Sequence, residues 1–543
     1  MKYLLCLLIL PFCFLSDLLA QNIEVEGAVS GHWDADTVFV TGDIHLMPEQ
    51  SLTIGQGTRV IFQGFYGLCV EGDTLQAAGT AEKPVMFSVS DTTGLHNIYK
   101  PDGSWKGIFV TGNSGEDAAE GPVVLMEHVR IAYAKAPYGE VTLHGGGVHI
   151  RDKGTYIFSH TTFLSNRSFL NGGGAYFEQA APVFTECVFI DNRAGHPPTE
   201  EEQYGYGGGL YGRLGQGQIA NNRFYDNRAT GLGGGLSLDS CNTKVTNNLF
   251  EDNNAPLGGG VGIARSNFSV PNSFSGNILN GNDSEFFGGG IALLTFRGNL
   301  FNNTIVNNYA SMGGGLYCNE GSFPLVANTI FWDNSAASAD NAQIFLWDAA
   351  SQPDLIYCNL KGGMDGVGGA PFNGAFLECI DENPNFTGDE DHPFGLASDS
   401  PCIMAGDPEF VDPAPWLLND FAGNPRIQND RIDIGAYEYQ GTVTFVDDPL
   451  MENNCCLAVY PNPSCGEATL RFVLEETSSV RLQLFDIQGK NLSCFPETAI
   501  PAGDHQLSLH ELLPNGYELS AGLYWVVLHA SGQQDISPLM IQR

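Results

Sequence analysis

The chain has 543 residues, with 67 glycines, 24 lysines and arginines, and 62 aspartates and glutamates, which give a formal net charge of −38 at pH 7. Binding to phosphates needs clustered cations, so this composition argues against nucleic acid as a partner. After the first twenty residues no apolar run reaches the ~18 residues of a membrane-spanning helix, so the mature chain is expected to have no membrane span. Many glycines and few basic residues favour an all-β fold.

The N-terminus has the pattern of a secretory signal peptide over residues 1–20. Lys2 precedes an almost wholly apolar stretch from Tyr3 to Leu15, which ends near Ala20. Such a segment is removed on export, and the mature protein then enters a compartment that permits disulfides. Eleven cysteines remain, with no CxxC pair and no histidine at zinc spacing. This pattern predicts core thiols and a few disulfides, and no metal site.

An internal repeat organises the middle of the chain. Triple glycines begin at residues 145, 172, 207, 233, 258, 288 and 313, at intervals of 27, 35, 26, 25, 30 and 25 residues. Between them an apolar residue is followed three positions later by asparagine, at Phe163/Asn166, Phe189/Asn192, Phe224/Asn227, Phe250/Asn253, Leu279/Asn282, Ile305/Asn308 and Phe331/Asn334. A glycine-rich repeat of this length without helix formers is one coil of a solenoid.

These repeats predict a parallel β-helix, because each holds two or three short apolar stretches and leaves no room for a helix. Stacking places the same coil position in a column with a ~4.8 Å spacing. We therefore expect the phenylalanines to stack inside. The asparagines are expected to bend the coil in left-handed backbone and to bond one another along the column. Triple glycine fits a corner where a side chain would clash with the neighbouring coils.

The coupled GGG[LVI] and FxxN repeats over about 145–335 resemble those of chlamydial polymorphic outer membrane proteins and, more broadly, the right-handed parallel β-helix repeat family. Residues 38–110, with short alternating runs closing in SWKGIFV, resemble the opening coils of secreted bacterial β-helix proteins. DFAGNPRIQNDRIDIGAYEYQ, ending at Gln440, resembles the segment that closes such β-helices. The resemblance implies a right-handed β-helix over residues 21–380 and an irregular closing segment over 381–440, which is expected to cover the exposed end of the parallel stack.

The C-terminal part follows a linker at 441–455 and is predicted to be a small β-sandwich over 456–543. Val480, Leu482 and Leu484 alternate with polar residues, as in a strand with one buried face. YPNPSCG at 460–466 and GLY at 522–524 resemble the type A sorting domain of the type IX secretion system of Bacteroidota. The resemblance implies that residues 456–543 bind the type IX machinery and that the protein reaches the outer-membrane surface or the extracellular space.

Two charged columns flank the repeated asparagine. Aspartate precedes it at Asp191, Asp226, Asp252 and Asp333, and arginine follows it at Arg167, Arg193 and Arg228. Beside them, residues 195–206 lengthen one coil and are expected to protrude. This arrangement predicts a charged ligand-binding stripe that includes Asp191 and Asp226, in which the arginines grip an acidic sugar while Tyr204 and Tyr206 stack on its ring. Alternatively, the arginines only neutralise the aspartates, a contribution of at most about 1 kcal/mol per exposed pair.

No catalytic residue is predicted. His128, His144, His149 and His160 cluster in sequence but have no acidic or thiol partner at a defined spacing, which favours turn and surface positions. GxSxG, HExxH and P-loop patterns do not occur. We expect no cofactor. Calcium is conceivable for the acidic column, but no calcium-binding motif supports it.

Two functional hypotheses follow. The first is a non-enzymatic surface protein, an adhesin that binds an extracellular glycan or another cell surface through a rigid β-helix. The second is a secreted polysaccharide lyase or glycoside hydrolase that acts on an acidic polysaccharide, because several β-helix families have such activities and the arginine stripe suits such a substrate. The absence of an acidic catalytic cluster favours the first hypothesis.

Overall fold

The computed structural model describes residues 22–112, 121–140, 143–196, 204–266, 272–337, 343–410, 419–427, 431–441, 457–460, 464, 468–474, 477–486, 491–513, 519–520, 522–530 and 533–541. The predicted signal peptide and nearly all of the predicted linker 441–455 lie outside these residues. The chain divides into two compact units. The first contains the repeats and the second contains the C-terminal residues from Tyr439 onward.

The coils between Lys135 and Ala336 are each built from four short strands that pair in parallel with the same strands of the next coil, and the coils before and after them lack the fourth strand in the described residues. In the coil that starts at Ala175 they are Ala175–Glu178, Val183–Thr185, Val188–Ile190 and Arg193–Ala194. We call the four stacks ladders I, II, III and IV in this order. Four short strands need no helix in the repeat, so the parallel β-helix predicted from the sequence is confirmed.

The strands stack as follows. Asn22–Ala28 and the long strand Thr37–Leu46 take part in both ladder I and ladder III. Ladder I continues with Gly67–Val70, Gly107–Thr111, Val148–Arg151, Ala175–Glu178, Leu210–Arg213, Leu236–Asp239, Val261–Ala264, Ile291–Leu294, Leu316–Asn319, Ile344–Leu346 and Val367–Gly369. Ladder II contains Gly31–Trp33, Ser51–Ile54, Thr74–Ala78, Val123–Glu127, Thr155–Ser159, Val183–Thr185, Gln216–Ala220, Asn242–Thr246, Asn272–Ser275, Gly298–Phe301, Leu325–Ala327 and Asp354–Ile356. Ladder III continues with Arg59–Phe62, Val85–Val89, Val129–Ala132, Thr162–Leu164, Val188–Ile190, Arg223–Tyr225, Leu249–Glu251, Ile278–Asn280, Thr304–Val306, Ile330–Trp332 and Asn359–Leu360. Ladder IV contains Lys135–Ala136, Arg167–Ser168, Arg193–Ala194, Arg228–Ala229, Asn254–Leu257, Asp283–Phe287, Tyr309–Ala310 and Ser335–Ala336. A turn of 3-10 helix follows at Gly363–Gly366.

The predicted phenylalanine column forms the centre of the core. Phe163, Phe189, Phe224 and Phe250 are all fully buried on ladder III. Their rings stack nearly parallel, with successive centroids 4.5, 4.6 and 4.7 Å apart. This spacing matches the separation of paired parallel strands, so one ring per coil fills the interior without gaps.

The repeated asparagines form the predicted hydrogen-bonded ladder inside the coils. Each Nδ2 donates to the Oδ1 of the next at 2.9–3.1 Å, through Asn166, Asn192, Asn227, Asn253, Asn282, Asn308 and Asn334. The prediction that these asparagines adopt left-handed backbone is wrong. The preceding residue does so, with φ of 49° at Asp191 and 50° at Asp226. The asparagine side chain must point inward to join the ladder, so the residue before it makes the bend.

A second asparagine ladder, which the sequence analysis missed, lies after ladder II. Asn222, Asn248, Asn277 and Asn303 are buried and bond one another in sequence at 2.9, 3.0 and 3.2 Å. The two ladders satisfy buried backbone groups at both bends that flank ladder III.

The glycine triplets occupy a crowded corner, as predicted. Gly172 has a φ of 69°, which a side chain would oppose. A Cβ on Gly173 would lie 2.5 Å from the carbonyl oxygens of Arg193 and of Gly208, so neighbouring coils leave no room for it.

One part of the predicted closing segment lies against the last coil, as expected, and another part lies along the side of the stack. Asn247 Nδ2 donates to the carbonyl of Asn419, and Gly435 N donates to the carbonyl of Asn328 at 2.8 Å. Residues 419–427 and 431–438 therefore pack along the side of several coils, at the bend after ladder II, and do not cover the end of the stack. Residues 380–402 pack against the last coil, where Ile380 N donates to the carbonyl of Cys358. Residues of this bend such as Asn247 and Asn328 have left-handed backbone. Their polar groups face outward there, and the segment binds to them on the side of the stack.

The second unit is an antiparallel β-sandwich with a small helix. One sheet contains Leu457–Tyr460, Thr469–Leu474 and Gly503–Ser508, and the other contains Asn491–Ile500, Ser478–Asp486, Gly522–Ala530 and Gln533–Ile541. The helix is Leu509–Leu512, and the 3-10 turn Pro408–Phe410 groups with this unit, whereas Phe376–Leu377 is the last strand of the ladder II sheet. Val480, Leu482 and Leu484 are buried in its core, as their alternation predicts. In the described part of the chain, no helix has the length and apolar character needed to cross a membrane.

Candidate anion-binding cavity

Ladder IV stacks three arginines in consecutive coils. Arg167 pairs with Arg193, and Arg193 pairs with Arg228, in parallel register. The register follows from the repeat, because each arginine comes directly after an asparagine of the buried ladder. Ladder IV therefore holds three arginines whose backbones have the ~4.8 Å spacing of paired strands.

The three arginines line one cavity of about 320 Å³. Loop 91–104, which precedes the strand at Gly107, supplies His96 and Ile98 to its wall. The rest of the wall comes from ladder IV and the residues after it, namely Ala194, Gly195, His196, Ala229, Thr230 and Asn254. The lining thus combines three cations with small and apolar side chains, a composition suited to a ligand that has both a charge and a nonpolar surface.

Arg167 forms the buried part of the cavity. Its side chain is 4% exposed, and Nε and Nη1 have no hydrogen-bond partner. Burial lowers the pKa of Arg167 to about 10, and the charge of Asp191 opposes this effect. Arg167 is therefore cationic at neutral pH, and the two nitrogen atoms without a partner are themselves buried.

Asp191 bridges two of the arginines. One carboxylate oxygen accepts from Arg167 Nη2 at 3.2 Å and the other accepts from Arg193 Nη2 at 3.2 Å. Partial burial raises the pKa of Asp191, but a hydrogen bond from Ser165 and the two arginine charges outweigh this, so the pKa lies below its ordinary value. Within the described residues Arg228 forms no ion pair. Among the described residues, one carboxylate thus pairs with two of the three arginines that line the cavity.

Asp226 is not part of the cavity lining. Asp226 is exposed and lies near Asp252. Partial burial raises the pKa of Asp252, and the negative charge of Asp226 raises it further. Of the two predicted acidic site residues, only Asp191 contacts the arginines.

Tyr204 and Tyr206 do not line the cavity either. Tyr204 is 51% exposed, and Tyr206 stacks towards Tyr211 of ladder I with ring centroids 6.3 Å apart. Residues 197–203 of the predicted protruding loop lie outside the described residues. The prediction that this tyrosine pair stacks on a ligand held by the arginines is not supported by these positions.

A different aromatic cluster adjoins the cavity. Phe169 stacks on His196 with centroids 4.4 Å apart, and the Tyr99 hydroxyl lies 3.3 Å from His196 Nδ1. Tyr99 and Tyr138 pack on Phe169 and are 43% and 57% exposed. These two tyrosines present the aromatic surface that the sequence analysis assigned to Tyr204 and Tyr206.

Lys135, which the sequence analysis missed, organises the wall of the cavity. It lies one coil before Arg167 on ladder IV and is fully buried. Its Nζ donates to the carbonyl oxygens of Gly94, Asn97, Lys100 and Asp102 at 2.9–3.1 Å. All four belong to loop 91–104, so one ammonium group fixes the loop that carries His96, Ile98 and Tyr99.

Replacing Lys135 by Met should loosen this loop. Hydrogen bonds to a charged group contribute ~1.5–3 kcal/mol each, so amide exchange over residues 94–102 should increase roughly tenfold or more. Hydrogen-exchange mass spectrometry measures it, with Lys106→Met as the control, because Lys106 pairs with Asp43 at a partly exposed site. Unchanged exchange at 94–102 in Lys135→Met would show that the loop is held by other contacts.

The four clustered histidines lie on two faces. His128 and His160 stack at 4.4 Å at a bend, where His160 also pairs with Glu186. His149 is instead buried and stacks on Tyr176, so the predicted surface position is wrong for this residue. No group of three histidine, cysteine or acidic residues in the described ranges comes together as a metal site would require.

Two family models match the chain. Residues 106–308 match a model described as right handed beta helix region, and residues 458–542 match one described as secretion system C-terminal sorting domain. A comparison with curated proteins gives no significant match. The chain therefore contains a right-handed β-helix and a type IX C-terminal sorting domain, and this domain implies delivery to the cell surface or the extracellular space.

Proposed function

We propose that this secreted surface protein is a non-enzymatic adhesin that binds an acidic glycan in the arginine-lined cavity. The observation that carries the proposal is the lining of the cavity, in which Arg167, Arg193 and Arg228 lie together and two of them share one carboxylate, Asp191. Hydrogen bonds between arginines and an oxyanion are charge-assisted, so a negatively charged ligand gains affinity there.

The other arginines extend the same binding surface. Arg228 is exposed and has no ion pair in the described part of the chain, so a negative group meets an uncompensated guanidinium near solvent. Arginine suits carboxylate and sulfate groups because its planar fork offers several donors. We propose that the ligand's charged groups contact Arg228 and Arg167, while Arg193 stays paired with Asp191.

The aromatic cluster favours a sugar over a small inorganic anion. Tyr99 and Tyr138 expose ring surface beside the cavity. Sugar rings have nonpolar faces that pack on aromatic side chains, and a cavity of about 320 Å³ has room for more than a single anionic group. These features support an acidic sugar as the ligand class.

Changing Arg167, Arg193 and Arg228 together to glutamine should abolish retention on an affinity gel that carries a uronate-containing or sulfated glycan. Wild-type retention should fall between low and high salt, since exposed charges are screened. The matched control changes Arg130, Arg223 and Arg297 to glutamine, which removes the same charge at other positions of the β-helix and should leave retention nearly unchanged.

The outcomes separate binding from simple charge compensation. If the arginines only neutralise Asp191, wild type will not bind any acidic glycan at low salt. The triple variant will then lose modest stability at neutral pH, because the low pKa of Asp191 depends on its arginine partners. That loss should shrink on acidification through the carboxyl pKa, where the ion pair no longer contributes in wild type. Equal retention losses in the triple variant and its control would also contradict the proposal.

A second candidate function is eliminative cleavage of an acidic polysaccharide. It rests on the Tyr99 hydroxyl and His196 Nδ1, which lie 3.3 Å apart beside the arginines, because such a pair can transfer a proton from a sugar carbon. Incubation with uronate-containing glycans tests it through ultraviolet absorbance of unsaturated products and through new reducing ends. Products that vanish in Tyr99→Phe would favour the lyase; binding without products would favour the adhesin.

A further inference from the structure

The second buried ladder ends in two stacked cysteines. Its inward-facing column runs through Thr161, Cys187, Asn222, Asn248, Asn277, Asn303, Thr329, Cys358 and Cys379, one residue per coil. Along most of this column a backbone N–H donates to the side chain of the next member, as Cys187 N does to Asn222 at 2.8 Å. Cys358 N continues the pattern by donating to Cys379 Sγ at 3.4 Å.

Several contacts fix the two thiols beside each other. Asn359 and Ile380, the residues that follow them, form a parallel bridge, and Ile380 N donates to the carbonyl of Cys358 at 2.8 Å. Burial raises the pKa of the Cys358 thiol well above its ordinary value, and the neighbouring Cys379 thiol raises it further. Register neighbours on paired strands are ~4.8 Å apart, which falls within the ~4.4–6.8 Å separation of Cα atoms in disulfides.

The other described cysteines have different surroundings. The thiols of Cys187 and Cys241 donate to backbone carbonyls, as those of Cys358 and Cys379 also do, but the neighbours of Cys187 in the column are Thr161 and Asn222, neither of them a cysteine. Cys402 lies closer, but its sulfur accepts from Asn359 Nδ2 at 3.2 Å. The ladder geometry thus favours Cys358 and Cys379 as partners over any pairing with Cys402.

We infer that Cys358 and Cys379 form a disulfide in the exported protein. The S–S bond forms as the two S–H bonds break, and two protons and two electrons pass to a disulfide oxidant of the thiol–disulfide oxidoreductase class. Export by the sorting domain takes the chain out of the reducing cytoplasm, where such bonds rarely persist. The inference does not depend on glycan binding.

The bond would join the last regular coil to the segment that follows it. Cys358 and Cys379 are 21 residues apart in sequence, and between them the chain leaves ladder III and makes the turn at Gly363–Gly366. Cross-linking this loop restricts the unfolded chain and keeps residues 380–402 on the end of the parallel stack, where strand edges would otherwise be open to another chain.

Peptide mapping of the full-length exported protein tests the bond directly. Protein collected without reductant is alkylated, digested and analysed by mass spectrometry, with a dithiothreitol-treated sample as the control. We expect a linked peptide pair that contains Cys358 and Cys379 and disappears on reduction. Alkylated Cys358 and Cys379 in the unreduced sample, or a link from either residue to Cys402, would overturn the inference.

Thermal unfolding gives a second test. Dithiothreitol should lower the Tm of wild type, Cys379→Ser should have the Tm of the reduced wild type, and dithiothreitol should not lower it further. Cys187→Ser is the matched control, since it changes a buried thiol of the same column and should keep the response to dithiothreitol. A wild-type Tm that is unaffected by dithiothreitol would contradict the cross-link, and peptide mapping of wild type decides the question even if a serine variant folds poorly.

Discussion

Deleting residues 456–543 should abolish surface display and leave the β-helix in the periplasm. Residues 458–542 match the sorting domain, and the deletion removes both sheets of this unit while leaving the described coils intact. Fractionation followed by protease accessibility on whole cells measures the result. The expected loss of surface-displayed protein is nearly complete, because the match to the sorting domain covers residues 458–542 and the deletion removes all of them.

Two neighbouring point variants show whether the folded sandwich is required. Leu482 is fully buried in the sandwich core, whereas the adjacent Arg481 is exposed on the same strand. Leu482→Asp places an unpaired charge in the core and should reduce display like the deletion, while Arg481→Asp should be displayed normally. Undiminished surface display after deletion of 456–543 would refute the sorting assignment.

The regular part of the fold could be predicted because it repeats. A column such as Phe189, Phe224 and Phe250 requires only that equivalent residues recur once per coil, and parallel pairing then places their rings within stacking distance. The same argument explains the asparagine ladder and the arginine stack, since both stand at a fixed offset from those phenylalanines. Periodicity thus predicts register without knowledge of any contact.

Features outside the repeat were predicted less well, because nothing in the period specifies where they pack. Residues 419–427 and 431–438 contact the side of the coils, where Gly435 N donates to the carbonyl of Asn328, a residue with left-handed backbone. The second ladder was missed although Asn222 and Asn248 have the repeat spacing. The asparagine repeat is present in the sequence, but Cys187 and Thr329 occupy the same column and interrupt the pattern.

The arginine-lined cavity contains residues that belong to the repeat and residues that do not. The positions of Arg167, Arg193 and Arg228 follow from the repeat, whereas the aromatic neighbours do not. Loop 91–104 folds onto the arginines because the buried ammonium of Lys135 binds its carbonyl oxygens, a contact between segments with no shared pattern. Sequence proximity suggested Tyr204 and Tyr206, and tertiary packing supplies Tyr99 and Tyr138.

Changing Phe224 to Ala should lower the free energy of unfolding by about 3–5 kcal/mol, because a fully buried ring leaves a cavity that its neighbours cannot fill. The loss should be near the upper end, since Phe189 and Phe250 are held by their own strand pairs at 4.6 and 4.7 Å from the missing ring and cannot move together. Asp226→Asn is the matched control, as asparagine also tolerates the φ of 50° at this exposed position, and it should change stability by less than about 0.5 kcal/mol. Urea unfolding of the full chain, followed by far-ultraviolet circular dichroism, measures both variants. Similar small changes in both would mean that Phe224 does not belong to a packed column and that the register of ladder III is different.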